Sequence, residues 1–292
     1  MRIIYILIFI AFFSYSCEKE IAYNGEKLEN YLVLNAVLEP DSLIKCQVTR
    51  SNTMFQNGTI VTIEDAVVEL YQNDQLIETL THSQNGYYQT ATLKASIGEK
   101  YSFKVSQKQF TNINCNTILP GETAAELTSV KYNGSTGNYD MELLVKDKPG
   151  KDCYRILIYT LTNFNGDDNY YQTFIDSNDP VLNYNMVIND ESGFSDYPDN
   201  NFMIFNDDLF EGEDYRLKFS IYGYENAPVK VVLQHITEDL YQYYHTVQAR
   251  DYYHEDPFTE PVRIYSNVDG GAGILGGATS TVSLHSLPEN NL

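Results

Sequence analysis

Gly98-Glu99-Lys100-Tyr101-Ser102-Phe103-Lys104-Val105 alternates polar and apolar residues with a strict period of two. Successive side chains of an extended chain point to opposite faces, so Tyr101, Phe103 and Val105 form one apolar face opposite Lys100, Ser102 and Lys104. Gly98 supplies the break in front of that strand. The same grammar recurs on working outward from it. Tyr87 to Leu93 alternates behind the Asn85-Gly86 turn signal, and Ala66-Val67-Val68-Glu69-Leu70-Tyr71 passes through Asn73-Asp74 into Leu76 to Leu80. Leu43 to Arg50 alternates as well, and Tyr31-Leu32-Val33-Leu34-Asn35-Ala36-Val37-Leu38 reads as a buried strand stopped by Pro40-Asp41. Residues 31–119 are therefore expected to form an all-β sandwich. Cys46 shares a strand face with Ile44 and Val48, where a buried core thiol and a disulfide to Cys115 are both open readings.

Pro120-Gly121-Glu122-Thr123 reads as the linker out of this unit, and a second β-rich domain is expected over 125–292. Tyr139 to Val145, Tyr154 to Leu161, Tyr215 to Tyr222 and Val229 to Gln234 have the alternating or continuous apolar character of strands. Residues 163–201 turn polar and aromatic and predict a long loop of the kind that carries contacts. Tyr170, Tyr171, Tyr184 and Tyr197 in it are candidate ligand or partner contacts, since exposed tyrosine stacks on rings and anchors interfaces. Asp176-Ser177-Asn178-Asp179 puts oxygens in a row, but Pro180 breaks the calcium-loop pattern and leaves Asp176 and Asp179 as weak metal candidates. One short helix is predicted over about 238–250. Thr237 is placed to cap it, Glu238 and Asp239 suit its positive end, and Leu240, Tyr243, Tyr244 and Val247 fall on one face.

The charge balance, Lys+Arg 19 against Asp+Glu 40 for a net of -21, excludes nucleic acid, because phosphate binding needs clustered cations. Tyr 25 with Trp 0 agrees with strand-rich structure rather than with a tryptophan platform for sugars. At the start of the chain Arg2 precedes an apolar run from Ile3 to Phe13 that ends in Ser14-Tyr15-Ser16-Cys17. This is the layout of an export signal over 1–16, and the run is too short to span a bilayer. Ser16-Cys17 resembles a bacterial lipobox, with Ser14 where Leu is usual, which implies lipidation at Cys17 and a tether over 17–30. Glu18, Lys19 and Glu20 resemble the surface-export signal of Bacteroidota lipoproteins. The expected location is the outer membrane, lipid-anchored and surface-exposed, with a periplasm-facing protein as the alternative.

Motifs for chemistry do not hold up. Gly271-Ala272-Gly273-Ile274-Leu275-Gly276 has the letters of a dinucleotide fingerprint, but Gly277 and Thr279-Ser280-Thr281-Val282 after it are strand-like where a helix is needed, and the chain stops at Leu292. Gly193-Phe194-Ser195-Asp196-Tyr197 lacks the closing glycine of a nucleophile elbow. His254-Glu255-Asp256 reads as a solvated loop, and no two cysteines have metal spacing. No cofactor and no catalytic residue are expected.

Two resemblances extend this reading. The Val68-Glu69-Leu70-Tyr71 strand, the Gly86-Tyr87-Tyr88 turn and the Gly98 to Val105 run resemble the transthyretin-like and carboxypeptidase-regulatory type of Ig-like sandwich, which implies a spacer or a binding platform. The Cys17-Glu18-Lys19-Glu20 start, the Leu32-Val33-Leu34-Asn35 strand, the Asn206-Asp207-Asp208-Leu209-Phe210-Glu211-Gly212 turn, the Thr237-Glu238-Asp239-Leu240 helix start and the run from Asp256 to Gly276 are similar to the Bacteroidota lipoprotein family known as domain of unknown function 4249. Leu275, where an aromatic is common, is a small departure. The resemblance brings no catalytic residues. It implies an outer-membrane lipoprotein encoded beside TonB-dependent receptors, hence a non-enzymatic binding or accessory protein of nutrient uptake with an unknown ligand. A structural or adhesive surface lipoprotein and an unrecognised hydrolase are the alternatives.

Overall fold

The computed structural model describes residues 29–52, 60–164, 167–185, 202–253 and 260–290. It is mainly β. In chain order the first strands are β1 (Leu32–Leu38), β2 (Leu43–Arg50), β3 (Val61–Thr62), β4 (Val67–Gln72), β5 (Gln75–Thr79) and β6 (Thr81–His82). Then come β7 (Tyr87–Lys94), β8 (Lys100–Ser106), β9 (Ile113–Ile118), β10 (Ala124–Asn133), β11 (Asn138–Lys146) and β12 (Cys153–Phe164). The last are β13 (Asp167–Thr173), β14 (Ile175–Asp176), helix α1 (Pro180–Asn185), β15 (Phe202–Asn206), β16 (Tyr215–Ile221), β17 (Pro228–Ile236), helix α2 (Glu238–Tyr253) and β18 (Ala272–Ser286).

One ten-stranded sheet, with main order β13-β12-β17-β18-β1-β2-β7-β6, runs through the whole molecule. Two four-stranded sheets lie against it, β5-β4-β8-β9 and β10-β11-β16-β14. The alternation read from Lys100 to Val105 is realised, with Tyr101, Phe103 and Val105 buried. They meet Leu32, Leu34, Val48 and Tyr88 of the long sheet in a first core. A second core joins Ile156, Ile158, Val229, Val231 and Leu233 of the long sheet to Tyr139, Met141, Leu143, Leu217 and Phe219. The molecule is thus two β-sandwiches that share one sheet.

The strand that joins them is β18. Its first half pairs in parallel with β1, from Val33↔Ala272 to Leu38↔Gly277. Its second half pairs antiparallel with β17, from Ile236↔Ala278 to Pro228↔Ser286. Residues 31–119 therefore do not complete a sandwich without the C-terminal strand, because a parallel partner from far along the chain can be supplied only by tertiary folding. Glycine is required where β18 meets β1. A Cβ on Gly273, whose φ is +114°, would stand 1.9 Å from the Leu34 carbonyl oxygen, and one on Gly271 would stand 2.4 Å from that of Leu32. The dinucleotide-like letters are strand and steric clearance.

Two further expectations change. The loop expected over 163–201 is largely structured where it is described: β12 extends to Phe164, β13 pairs with it from Phe164↔Asp167 to Ile158↔Thr173, and α1 follows. Asn165-Gly166 between the strands, a hairpin signal, is the cue that favoured this outcome over a loop. The linker is clamped. The Gly121 carbonyl accepts from Thr279 Oγ1 (2.7 Å) and meets His235 Nδ1 (2.8 Å), Lys148 Nζ donates to the Glu122 carbonyl (3.0 Å), and Thr281 Oγ1 donates to that of Thr123.

Helix α2 runs to Tyr253, past the expected end, and covers the outer face of the long sheet, where Leu240 and Tyr241 pack with Cys153, Ile204, Ile236, Ile274 and Ala278. Thr237 stands at the N-cap position, where its carbonyl accepts from Tyr241 N (3.0 Å), and its hydroxyl accepts from Gly277 N (3.2 Å) and ties the helix to β18. Asn267 adds a second tie. Its amide accepts from Leu275 N and donates to the Leu275 carbonyl, both at 2.9 Å, and Nδ2 also reaches Asp239 Oδ2 at 3.1 Å.

Candidate functional site

The outer face of the long sheet continues beyond α2, where among the described residues it is partly exposed, with Leu157 and Val232 buried. Strand register places Leu161 beside Tyr170, a row of Gln172, Tyr159, Lys230 and Leu284 next to them, and a row of Leu157, Val232 and Val282 after that. None of these positions holds a carboxylate, in a chain with 40 of them. Leu284 is 67% exposed, Val282 53% and Tyr170 43%. The Lys230 ammonium lies 4.5 Å from the Tyr159 ring centroid and 5.2 Å from that of Tyr170. Such contacts hold a cation over an aromatic face while leaving it open to water. Where the face passes under α2, Arg155 closes the boundary by donating to Gln234 Oε1 (2.7 Å) and to the Tyr244 hydroxyl. At the same end of the molecule Tyr222 and Tyr224, each 60% exposed, pack edge to face.

Of the four tyrosines expected as contacts, the structure places two, on opposite sides of β13. Tyr170 is on this face, while Tyr171, one residue on, points to the opposite side of β13 beside Thr160. Tyr197 lies outside the described residues, as does the Tyr184 side chain. Lys230, Leu284 and Val282 were not among the expected contacts. Their signal was the unusual pairing of Val282 and Leu284 with polar neighbours in a strand, which alternation alone reads as an ordinary half-buried edge.

Asp176 and Asp179 border an open groove of about 820 Å³ over the four-stranded sheet β10-β11-β16-β14. Asp179 is buried and its oxygens already have protein donors: Tyr215 hydroxyl (2.8 Å), Val181 N (3.0 Å) and Lys218 N (2.9 Å). Ser177 Oγ donates to the Lys218 carbonyl at 2.6 Å. Together Ser177 and Asp179 supply Lys218 with the hydrogen bonds that a longer β14 would have made, so Asp179 closes a sheet edge rather than offering metal ligands. Burial and the Asp179 hydrogen bond push the Tyr215 hydroxyl up to about 12. The floor of the groove alternates Lys131, Asp140, Glu142 and Lys218, with Arg216 held by Glu142 at 2.7 Å.

A third cluster had no signal in the sequence, because its members come from two turns distant in the chain, β11–β12 and β15–β16. Carboxylate oxygens of Asp147, Asp152 and Asp207 lie within 4.8 Å of one another. A divalent cation could share such a spacing. The oxygens are already engaged, however: those of Asp147 by Tyr154 hydroxyl and Gly212 N (2.7 Å), Asp207 Oδ2 by Asp152 N (2.9 Å), and Asp152 Oδ1 by His235 Nε2 (3.0 Å). Burial raises the carboxyls of Asp152 and Asp207 above the usual range, with Asp147 adding to both. Burial, then the Asp147 hydrogen bond, raises the Tyr154 hydroxyl.

Cys46 and Cys115 are free buried thiols, so the bridge considered for them is not formed; Cys153 is likewise buried and free. Burial raises all three, Cys115 and Cys153 to about 12, which keeps them as unreactive thiols. Cys17, Glu18, Lys19 and Glu20 lie outside the described residues. Among the described residues no helix is long and apolar enough to cross a membrane.

Fold and surface together define a mainly β protein of two sandwiches on a shared sheet, with a partly exposed aromatic face among the described residues. The chain belongs to the family described as domain of unknown function (DUF4249), whose model matches residues 18–283. A crystal structure of a protein described as membrane anchored, from Corynebacterium diphtheriae, is similar over 89% of this chain and 60% of that one, at 10% identity and a TM-score of 0.20. The chain thus spans 60% of that protein's length, and so weak a likeness carries nothing across. No curated protein matches.

Proposed function

We propose that this is a lipid-anchored protein of the bacterial outer membrane, of Bacteroidota type, which acts without catalysis by docking on a TonB-dependent receptor as an accessory of nutrient uptake. The observation that carries the reading is the aromatic and apolar face of Tyr159, Leu161, Tyr170, Lys230, Val282 and Leu284, positions that hold no carboxylate. Apolar and aromatic surface depleted in acids is the composition of interface cores, and a patch of this kind on an acidic chain is costly to leave in water. Its position suits the role. β18 starts beside Val33, near where a tether from Cys17 enters, and runs about 45 Å from there to Ser286 at the rise of a strand. A partner would therefore meet the far end of the molecule, clear of the anchor.

The test is mild detergent extraction and affinity isolation of the full chain, with mass spectrometry of what comes with it. A TonB-dependent receptor is expected with the native chain and is lost with Leu284→Asp/Tyr170→Ala, a variant that alters only exposed side chains. Isolation free of any receptor, or a receptor retained equally by the variant, overturns the reading; self-assembly through this face would favour a structural protein instead.

A further inference from the structure

The outer face of the sheet β5-β4-β8-β9 carries a line of amides that the fold does not use. On β9, Ile113, Cys115 and Thr117 are buried, while Asn114 and Asn116 point outward and are exposed. Register sets Asn114 beside Lys104 and Glu69, and Asn116 beside Ser102 and Tyr71. Short side chains among long ones leave a hollow on either side of Lys104. One of about 240 Å³ reaches Tyr71, Lys100, Ser102 and Asn116, and one of about 410 Å³ reaches Glu69, Ser106 and Asn112; Lys104 and Asn114 border both. Asparagine is depleted in strands, because its side chain competes for backbone hydrogen bonds. Here the side chains of Asn112, Asn114, Asn116, Ser102 and Ser106 make no hydrogen bond to another described residue.

We infer that this face is a binding site for a neutral oligosaccharide. Charge selects the class of ligand. Lys100 Nζ is paired with Asp74 at 2.9 Å. Lys104 Nζ lies 4.4 Å from the Tyr71 ring centroid, and the Tyr71 hydroxyl donates to Glu69 Oε2 at 3.2 Å. The lysines and carboxylates of the lining thus compensate one another, in a chain whose net charge is -21. A strip without net charge attracts neither an anion nor a cation. What it offers is a donor and an acceptor side by side on each amide, and both on each serine hydroxyl. Neighbouring hydroxyls of a sugar ring require that combination. A peptide strand would need a free sheet edge, and the edge of β9 is taken at its centre, where Asn114 exchanges backbone hydrogen bonds with Asp269 (3.2 and 2.8 Å).

The same pairing holds β9 on both sides, by β8 and by Asp269, so a ligand meets a backbone that is already fixed. Ser102 and Ser106, four residues apart on β8, set the two hollows about 13 Å apart. A chain of linked sugar rings can enter both, and a single ring fills only one. Lys104 lies over the Tyr71 ring, so recognition rests on hydrogen bonds rather than on ring stacking. Hydrogen bonds made in exchange for water are individually weak, and a dissociation constant on the order of 1 mM is expected. The site belongs to the first sandwich, apart from the aromatic face of the second, and does not depend on receptor docking there.

Saturation-transfer NMR on the full chain tests this, with maltohexaose, cellohexaose, xylohexaose and mannohexaose as neutral probes and hexagalacturonate as an anionic one. At least one neutral probe is expected to show transfer at about 10 mM, well above the expected constant. Its binding should weaken by about tenfold or more in Asn114→Ala/Asn116→Ala, which removes two amides from an exposed face. Silence from all four neutral probes, binding kept by that variant, or hexagalacturonate bound as tightly as the best neutral probe overturns the site. Should the double variant fail to fold, Ser102→Tyr decides: it fills the smaller hollow from β8, and sugar binding that it leaves unchanged overturns the site equally.

Discussion

Gly273 is the residue with the least freedom to change. Its φ of +114° and the 1.9 Å approach of a hypothetical Cβ to the Leu34 carbonyl oxygen mean that any side chain must pry β18 from β1. Gly273→Ala is therefore expected to cost about 3 kcal/mol or more, from backbone strain and lost pairing together, and urea unfolding of the variant measures it. Asp179 shows a different limit on reading residues singly. The run Asp176-Ser177-Asn178-Asp179 suggested cation ligands, yet the structure uses Ser177 and Asp179 to complete the edge of β16. A carboxylate's role depends on which donors surround it, and those of Asp179 come from Tyr215 and Lys218, far along the chain. Cys46 was legible as a core residue from Ile44 and Val48 on its face; whether its thiol pairs with Cys115 depended on packing that alternation does not describe.

At the scale of elements, most strands were legible and their partners were not. Period-two runs such as Lys100 to Val105 reveal a strand because burial of one face is a local pattern. Pairing is a choice among distant candidates. The second sandwich shows this in β13, where Tyr170 sits on the outer face by Leu161 and Tyr171 on the other, so a tyrosine pair that looked like one contact is two. The helix was foreseen and its fastening was not, since Thr237 bonds to Gly277 and Asn267 bridges Leu275 and Asp239. Asn267→Ala removes two hydrogen bonds to a strand backbone and one to a carboxylate and is expected to destabilise by about 2 kcal/mol. The loss should appear in hydrogen exchange first at α2 and the first half of β18, where those bonds converge, before the rest of the sheet.

For the whole molecule, the shared sheet predicts shared stability. A net charge of -21 adds a second molecular property, self-repulsion, which screening relieves. Raising NaCl from low to moderate concentration is expected to raise the melting temperature by a few degrees, and a melting temperature that does not rise overturns the role of self-repulsion. By itself the sequence determined the mainly β class, the acidic charge balance and the positions of most core side chains, because charge is a sum and face burial is a period of two. Tertiary structure alone decided that two sandwiches share one sheet. It also brought Lys230, Tyr170 and Leu284 onto one open face, and it gathered Asp147, Asp152, Asp207 and His235 into a single knot. Each of these joins residues distant in the chain, and such contacts are selected by packing the whole molecule, a selection that no local spacing records.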